Sequence, residues 1–300
     1  MTIRIGTSER DGTFHSQGRA LKAILDRVPR LAPVEVMESK SASVDNANRL
    51  QAGQIEFGFM AANWIGRARN GEAPFAAPID LRMAAPMNAG PLFFIARAGA
   101  PLRTVRDLRG RRVAVGLRTS GMVQHVHSIF GALALSFSDF TPVYLDFAAG
   151  ADALAAGEVD AQFQCPIPNQ VMTDLAARVD LQVLAFEAGE IDAVMRAVPD
   201  YQATVMRQGA IRGLDEDVAQ IAVVNVLVTH ARVSEAVVCD VVGAVIKQAG
   251  ELGRLNPLFG GLQDLFEPLR QQGPAALEFG SVALHPGALW AYQEARLLSV

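Results

Sequence analysis

Apolar and polar positions alternate in blocks along the first 60 residues. Residues 3–6, 33–37 and 55–60 carry short apolar runs typical of strands. Between them, residues 21–25 place apolar side chains on one face of a helix, and residues 41–43 open a second helix. Strands separated by helices predict βαβ units and a mostly parallel sheet.

The same pattern returns later in the chain. Residues 113–116 repeat the strand and glycine of residues 3–6, and residues 119–121 open a helix as residues 11–13 do. The segment 50–56 (LQAGQIE) resembles the segment LAAGEVD, which begins 104 residues further on. Two pairs of similar segments in the same order predict two α/β domains of the same build.

An apolar run late in the chain determines where we place the domain boundaries. Residues 221–228 are continuously apolar except for one asparagine, which predicts a fully buried strand, and helices follow, the first predicted over residues 234–252. This part has no counterpart between the two copies, so we assign it to the first domain. The chain then crosses between domains twice, first in the proline- and glycine-containing segment 83–91. The predicted domains are residues 1–87 with 215–300, and residues 88–214.

Composition narrows the class of protein. Half of the 300 residues are hydrophobic, which allows two compact domains with sizeable cores. The net charge is −4 and both signs are scattered, so we expect no nucleic-acid partner. Cys165 and Cys239 have no metal-type spacing; two free buried thiols are favoured over one disulfide. We expect a monomer without a metal or other cofactor.

The start of the chain bears on its location. Met1 leads directly into the first strand pattern, without a basic segment and apolar stretch, so we expect no signal peptide in this chain. The predicted location is the periplasm if a leader has been removed, and the cytoplasm if Met1 is the natural start.

Several segments along the chain carry a resemblance to a known family. They are Ile5-Gly6-Thr7, Glu38-Ser39 with Ser43, Asn46 and Leu50, the segment 105–113, and Leu284-His285-Pro286-Gly287-Ala288 with Tyr292 and Glu294. In these segments the chain resembles the TAXI-type solute receptors of tripartite ATP-independent periplasmic (TRAP) transporters. The resemblance implies a type II periplasmic-binding-protein fold, an α/β fold of two α/β domains with a central cleft and two crossover segments. It also implies a non-enzymatic protein that captures a small carboxylate or amino acid in the cleft and delivers it to the permease subunits.

The two loops that face the ligand in that family differ here. Residues 6–15 lack the glycine-rich sequence followed by two aromatics, and His15 stands where the family has an aromatic residue. Residues 116–122 also depart from the family's second loop, so the identity of the ligand is not carried over.

Loop positions independently favour an anionic ligand. Residues 6–14, 38–43 and 116–122 each leave the C-terminal end of a strand and enter a helix, where ligands of open α/β sheets bind. Free N–H groups at the helix starts favour anions. Ser43 and Ser120 are placed to cap these helices and to donate to a ligand; the alternative is that they serve as caps alone.

Arg118 is the predicted carboxylate-binding side chain, since a guanidinium can bind a carboxylate at two points, although it could also be a surface arginine. Glu9 and Arg10 would together favour a zwitterion, and His15 could stack on the ligand or hydrogen-bond to it. The remaining candidates follow the third strand of each copy or lie at the first crossing. The predicted ligand-binding residues are Thr7, Ser8, Glu9, Arg10, Phe14, His15, Glu38, Ser39, Ser41, Ser43, Asn63, Asn88, Arg118, Thr119, Ser120, Gly121, Phe163 and Gln164.

An alternative is a cytosolic enzyme, a lyase or decarboxylase, or a ligand sensor on the same fold. The unusual first loop with Asp11 and His15 motivates it, since a carboxylate and a histidine can perform acid–base chemistry. No nucleophile–base spacing or phosphate loop supports it. His125 and His127 do not predict a zinc site, because residues two apart on a helix point to nearly opposite faces. His285 is interpreted as structural.

Overall fold

The structure, a computed structural model, describes residues 2–164 and 166–299. They divide into two compact units. Unit 1 contains the residues up to Ala89 and those from Val224 onward; unit 2 contains Gly90–Val223. Residues 215–223, which the sequence analysis assigns to the first domain, thus lie in unit 2. The prediction for Cys165 falls outside the described residues, whereas Cys239 is a half-buried free thiol.

The described residues form ten strands and eleven α-helices, with a few short 3-10 turns. The strands are β1 (Ile3–Gly6), β2 (Val34–Met37), β3 (Phe57–Ala61), β4 (Leu81–Arg97), β5 (Arg112–Ala114), β6 (Thr141–Val143), β7 (Ala161–Gln164), β8 (Leu181–Val183), β9 (Tyr201–Met206) and β10 (Val218–His230). The helices are α1 (Thr13–Leu25), α2 (Ser43–Gln51), α3 (Ile65–Asn70), α4 (Gly121–Ala132), α5 (Phe147–Ala156), α6 (Gln170–Arg178), α7 (Glu190–Ala197), α8 (Glu235–Lys247), α9 (Ala249–Leu255), α10 (Pro268–Gln272) and α11 (Pro286–Glu294).

Unit 1 is built on βαβ units, as the apolar pattern predicts. β1 pairs in parallel with β2 and with β3, and β10 pairs antiparallel with β3, giving the strand order β2-β1-β3-β10-β4. Ile3 and Ile5 of β1 are buried, and so are Leu21, Ile24 and Leu25 of α1, which form the apolar stripe of that helix.

Unit 2 repeats the same arrangement. β5 pairs in parallel with β6 and with β7, and β7 pairs antiparallel with β4, giving the order β6-β5-β7-β4. β8 pairs with β4 and β9 pairs with β10. The order of strands and their directions match those of β2-β1-β3-β10. The repeated sequence pattern therefore does reflect two α/β units of the same build.

The repeat extends to an arginine that the sequence analysis did not pair. Arg4 donates from its main-chain nitrogen and its guanidinium to Glu56, with 2.7 Å between Nη2 and Oε1. Arg112, 108 residues later, makes the same contacts to Asp160, with 2.8 Å between Nη2 and Oδ1. In each unit this contact ties the loop before the third strand to the first strand.

Two long strands carry the chain between the units. β4 has 17 residues and β10 has 13, and each begins in one unit and ends in the other. The chain passes from unit 1 to unit 2 after Ala89, within the segment 83–91 that was expected to hold the first crossing. The segment is part of β4, although Pro86, Gly90 and Pro91 interrupt the strand pattern in the sequence. The strand continues through them because 13 of its 17 residues are buried.

Two of the segments that carry the family resemblance have structural roles. Asp107 and Thr104 form a reciprocal cap on the 3-10 turn Val105–Leu108. His285 caps α11, its Nδ1 accepting from the Gly287 nitrogen at 3.1 Å, which supports its structural interpretation. The Tyr292 hydroxyl, also on α11, donates to a carbonyl of β4 at 2.9 Å.

The C-terminal helical region also differs in detail from the expectation. The helix predicted from residue 234 to 252 is two helices, α8 and α9, separated at Gln248. Within residues 2–164 and 166–299, no helix combines the length and the apolar character needed to cross a bilayer.

Candidate ligand-binding site

The loops that follow β1 and β2 are joined into one polar surface in unit 1. Thr7 donates from both its main-chain nitrogen and its hydroxyl to the Met37 carbonyl, each at 2.9 Å. The Ser39 nitrogen donates to the Ser8 carbonyl at 3.2 Å. Both loops leave the C-terminal ends of parallel strands, so the pairing of β1 with β2 brings their first residues together.

His15, the third residue of α1, completes this surface. Its main-chain nitrogen donates to the Ser8 hydroxyl oxygen at 3.2 Å, and its Nδ1 lies 3.3 Å from the Thr7 hydroxyl oxygen. Because the single Thr7 hydroxyl hydrogen goes to the Met37 carbonyl, Nδ1 must be the donor in this contact. Burial lowers the pKa of His15 below its ordinary value, against the opposing effect of Glu38. The ring is therefore neutral at pH 7, with Nε2 as an acceptor.

Arg10 and Glu38 form an ion pair on the outer side of the same loops. The Arg10 Nε and Nη2 both donate to Glu38 Oε1, at 3.0 and 2.7 Å. Hydrogen bonding from the Arg10 guanidinium lowers the pKa of Glu38, and the two charges compensate each other. The pair is solvent-exposed. Glu9 lies between Ser8 and Arg10 in the same loop.

Two buried oxygen atoms near the strand ends have no hydrogen-bond partner among the described residues. They are the hydroxyl oxygen of Ser39, which is 3% exposed, and Oδ1 of Asn63, in the turn after β3. Leaving a polar group buried without a partner costs stability, and a ligand that supplies a donor or acceptor recovers it. Ser41, two residues beyond Ser39, is half-buried, and its carbonyl accepts from the Val44 nitrogen at 3.2 Å.

Two of the predicted ligand-binding residues in this region, Ser43 and Phe14, are buried and make contacts inside the core of unit 1. Ser43 was expected to cap α2, but this prediction is wrong because Ser43 is the first residue of that helix. Its buried hydroxyl oxygen accepts from the Ala61 nitrogen at 3.0 Å. The helix start turns this side chain toward the sheet, so it fixes the end of β3. Phe14 is buried and stacks on Phe59 with 5.5 Å between ring centroids.

Asn88 lies in a buried polar network of unit 1. Its Oδ1 accepts from Gln17 Nε2 at 3.1 Å and from Asn225 Nδ2 at 3.3 Å. Gln17 Oε1 has no partner among the described residues. The sequence analysis named Asn88 and missed the other two, although an asparagine inside the apolar run 221–228 was a usable signal.

In unit 2 the loop between β5 and α4 holds the corresponding candidates. Ser120 caps α4 as predicted, its hydroxyl oxygen accepting from the Val123 nitrogen at 3.4 Å. Thr119 is exposed and Gly121 is the first residue of the helix. The Arg118 guanidinium is stacked over the ring of Tyr144, 3.8 Å from its centroid. Tyr144 directly follows β6 and was missed, since a lone tyrosine gives no sequence signal.

The candidates on β7 are buried. Phe163 packs against Phe94 with 5.0 Å between ring centroids and belongs to the core of unit 2. Gln164 Nε2 donates to Gln162 Oε1 at 2.9 Å, whereas its own Oε1 has no partner in the part of the chain that the structure describes.

The two histidines of α4 have separate surroundings. His125 is buried and its Nδ1 is hydrogen-bonded to the Tyr201 hydroxyl; burial lowers the pKa of His125 to about 4. His127 is exposed and stacks on Phe137 with 3.7 Å between centroids. Over residues 2–164 and 166–299, no group of three histidine, cysteine or acidic residues is placed to hold a metal ion.

Comparison with solved structures supports the fold. XAC2383 from Xanthomonas citri, bound to a chloride ion, is 13% identical with a TM-score of 0.55, over 98% of this chain and 99% of that one. The BenM effector-binding domain with benzoate is 14% identical with a TM-score of 0.51, over 86% and 94%. The alkanesulfonate-binding protein SsuA from Xanthomonas axonopodis pv. citri, bound to MOPS, is 22% identical with a TM-score of 0.48, over 99% and 83%.

The expected α/β fold of the type II periplasmic-binding-protein class is therefore confirmed. The narrower resemblance to TAXI-type receptors stays a prediction. A family model matches residues 5–295, almost the whole chain, and its description is the NMT1-like family. The chain belongs to the NMT1-like family.

Proposed function

We propose that this protein is a solute-binding protein that captures a small organic anion and releases it unchanged. The observation that carries the proposal is the polar surface formed by the loops after β1 and β2. There, the Ser39 hydroxyl is buried without a partner, and His15 Nε2 is an acceptor with no protein donor among the described contacts. Such groups are paired in folded proteins, and a bound solute would pair them.

The charges favour an anion. Arg10 is compensated by Glu38, whereas Arg118 has no ion pair among the described residues. Helix α1 starts in the loop that carries Arg10, and α4 starts in the loop that carries Arg118, so each loop lies beside the positive end of a helix dipole. Two solved proteins of similar fold are bound to anions, a chloride ion and benzoate.

The same contacts favour binding over catalysis. The Thr7 and Ser8 hydroxyls donate to main-chain carbonyls, those of Met37 and Glu9, so neither is presented as a nucleophile. His15 Nδ1 donates to Thr7 and so cannot remove its proton as a base. Thr7, Ser8 and His15 therefore do not form the paired nucleophile and base of an enzyme that uses an activated hydroxyl group.

We further propose that the captured solute is delivered to a membrane transporter, and that the protein works in the periplasm. The resemblance to TAXI-type receptors favours the permease subunits of a TRAP transporter. Uptake of the identified solute into proteoliposomes containing such a permease, with and without this protein, would test that part. Uptake that does not depend on the protein would contradict it.

A thermal-unfolding panel tests the proposal. Carboxylates, sulfonates and amino acids are added at increasing concentration, each beside its uncharged amide or alcohol. We expect at least one anion to raise the Tm saturably, by about 4 °C at a hundredfold excess over Kd, and the uncharged compound to have no effect. No saturable rise with any anion would contradict the proposal.

Ser39→Ala is the diagnostic variant for the panel. Because its hydroxyl has no protein partner, we expect the unliganded Tm to stay the same, whereas the affinity should fall about two- to tenfold. Ser299→Ala, at an exposed serine outside the loops and outside every helix and strand, is the control and should change neither. A lower unliganded Tm with unchanged affinity would assign Ser39 a structural role.

A further inference from the structure

The loops before α1 and α4 are equivalent positions of the internal repeat. Their helices are preceded by the N-cap residues Gly12 and Ser120, which are 108 residues apart. The same separation relates the strand arginines Arg4 and Arg112, which make matching ion pairs. Each loop carries an arginine two residues before the N-cap, so Arg10 and Arg118 occupy the same place in the two units.

The partners of the two loop arginines also occupy equivalent places. Arg10 contacts Glu38, the residue directly after β2, and Arg118 contacts Tyr144, the residue directly after β6. Each unit therefore has one loop arginine resting on the residue that follows its second strand. One partner is a carboxylate and the other is an aromatic ring.

This difference decides which guanidinium N–H groups of each arginine are available to a ligand. Arg10 gives its Nε and Nη2 to the Glu38 carboxylate, the edge that would otherwise bind an anion at two points. Arg118 contacts the ring of Tyr144 through its flat face, while the N–H groups of a guanidinium point outward in its plane. Stacking therefore leaves Arg118 with its charge and its hydrogen-bonding edge.

The backbone near Arg118 packs closely against the start of α4. Gly116 has a φ of +91°, and a Cβ built there would lie only 2.6 Å from the Ser120 hydroxyl oxygen, so a side chain at this position would collide with that hydroxyl. The Ser120 oxygen accepts from the Val123 nitrogen and keeps its own hydrogen to donate. The glycine therefore leaves the Ser120 hydroxyl in place beside the loop that carries Arg118.

We propose that Arg118 binds the anionic group of the solute and that Tyr144 is the positioning residue that holds its guanidinium, whereas Arg10 is neutralised and contributes little. The proposal rests on the proposed function and deepens it. The solute it names has one carboxylate or sulfonate group, bound at two of its oxygen atoms by the planar guanidinium.

The test uses the full chain labelled with ¹⁵N-arginine, with benzoate as the anionic probe and benzamide as its uncharged control. The Nε–H resonances are assigned from Arg10→Ala and Arg118→Ala. We expect the Arg118 resonance to move saturably with benzoate and not with benzamide, and the Arg10 resonance to stay in place. A response at Arg10 as large as that at Arg118, or no response at Arg118, would overturn the proposal.

Substitutions of Tyr144 test its positioning role. Arg118→Ala should weaken benzoate at least tenfold, measured by calorimetry. Tyr144→Leu removes the ring and should weaken benzoate about two- to fivefold, while Tyr144→Phe keeps the ring and should stay within about twofold. The urea midpoint should be the same in all three, since the contact is at the surface. Equal effects of Leu and Phe, or no effect of Leu, would overturn the role of Tyr144.

The two levels of the proposal fail differently. If benzoate shifts Arg118 but the anions of the thermal panel are chemically converted by the protein, the proposed function fails and the anion site stands. If a solute binds tightly and Arg118→Ala leaves its affinity unchanged, the function stands and the assignment to Arg118 is overturned.

Discussion

At the scale of single residues, binding depends on which donor hydrogens and acceptor lone pairs of the loop side chains are not used in hydrogen bonds within the protein. The Thr7 hydroxyl has one hydrogen and gives it to the Met37 carbonyl, which assigns the proton of the neutral His15 ring to Nδ1. Nε2 is then an acceptor, which suits a hydroxyl or ammonium group on the solute. Sequence reasoning placed His15 in the loop, but the tautomer follows from a contact between residues eight apart.

A valine at position 7 should remove the preference of the His15 ring for the tautomer protonated at Nδ1. Thr7→Val removes the oxygen that accepts from Nδ1, so we expect the neutral His15 ring to shift toward the Nε2–H form. Nitrogen chemical shifts of the ¹⁵N-labelled imidazole at pH 8 measure the ratio of tautomers. Thr173→Val, on the exposed face of α6, is the control. An unchanged ratio in Thr7→Val would show that Nδ1 is not held by this hydroxyl.

His125 should make stability depend on pH. Its pKa of about 4 in the folded protein lies below the value near 6.5 of the unfolded chain, so protons favour the unfolded state. The contribution of the neutral His125 ring to the free energy of unfolding is complete above pH 6.5 and is lost as the pH falls toward 4. Between pH 7 and pH 5 we expect a loss of about 2 kcal/mol from this residue, measured by urea unfolding.

His125→Gln is the matched variant, because Gln17 has the equivalent position in α1. Glutamine does not titrate, so the variant should lose about 2 kcal/mol less than the parent over that range. The same pH slope in both proteins would mean that another group is responsible.

At the scale of elements, the apolar pattern predicts most of the fold and fails where tertiary packing overrides local signals. β1, β2 and β3 and the starts of α1 and α4 lie where the pattern places them. The interior of β4 was missed because proline and glycine normally mark turns, yet here burial on both faces keeps the strand extended. The break at Gln248 has no proline and no positive-φ residue, so no local rule indicates it.

The contact between α11 and α8 gives a sharp test at this scale. A Cβ at Gly287 would lie 2.1 Å from the Glu235 carbonyl oxygen, so Gly287→Ala should lower the free energy of unfolding by at least about 2 kcal/mol. Gly243→Ala, inside α8 with open space around it, should instead stabilise the protein by about 0.5–1 kcal/mol. Equal effects in urea unfolding would contradict the close approach of these helices.

At the scale of the whole molecule, the internal repeat explains the architecture and the polar site. Sequence similarity revealed the repeated helix, glycine and strand, because those positions are constrained by backbone geometry. It did not reveal the equivalence of Glu38 with Tyr144, because a carboxylate and a ring share no chemistry until both are seen against an arginine. The sequence therefore indicated the loops of the proposed site, whereas the side chains that contact Arg10 and Arg118 became known only from the structure.

The two matching ion pairs should stabilise the two units separately. Glu56→Gln weakens the contact with Arg4, and Asp160→Asn weakens the contact with Arg112; both effects on stability should be small because the two arginines are partly exposed. Hydrogen exchange should quicken in β1 and β3 for the first variant and in β5 and β7 for the second. Faster exchange throughout the chain in both variants would contradict two separately stabilised units.

Calorimetric titration with the most stabilising anion tests solute capture most directly. We predict saturable binding of one anion per chain, no measurable binding of its uncharged amide, at least tenfold weaker binding by Arg118→Ala, and recovery of the anion unchanged by mass spectrometry. Equal binding of the amide, or chemical conversion of the anion, would contradict the proposal that this protein reversibly captures a small organic anion.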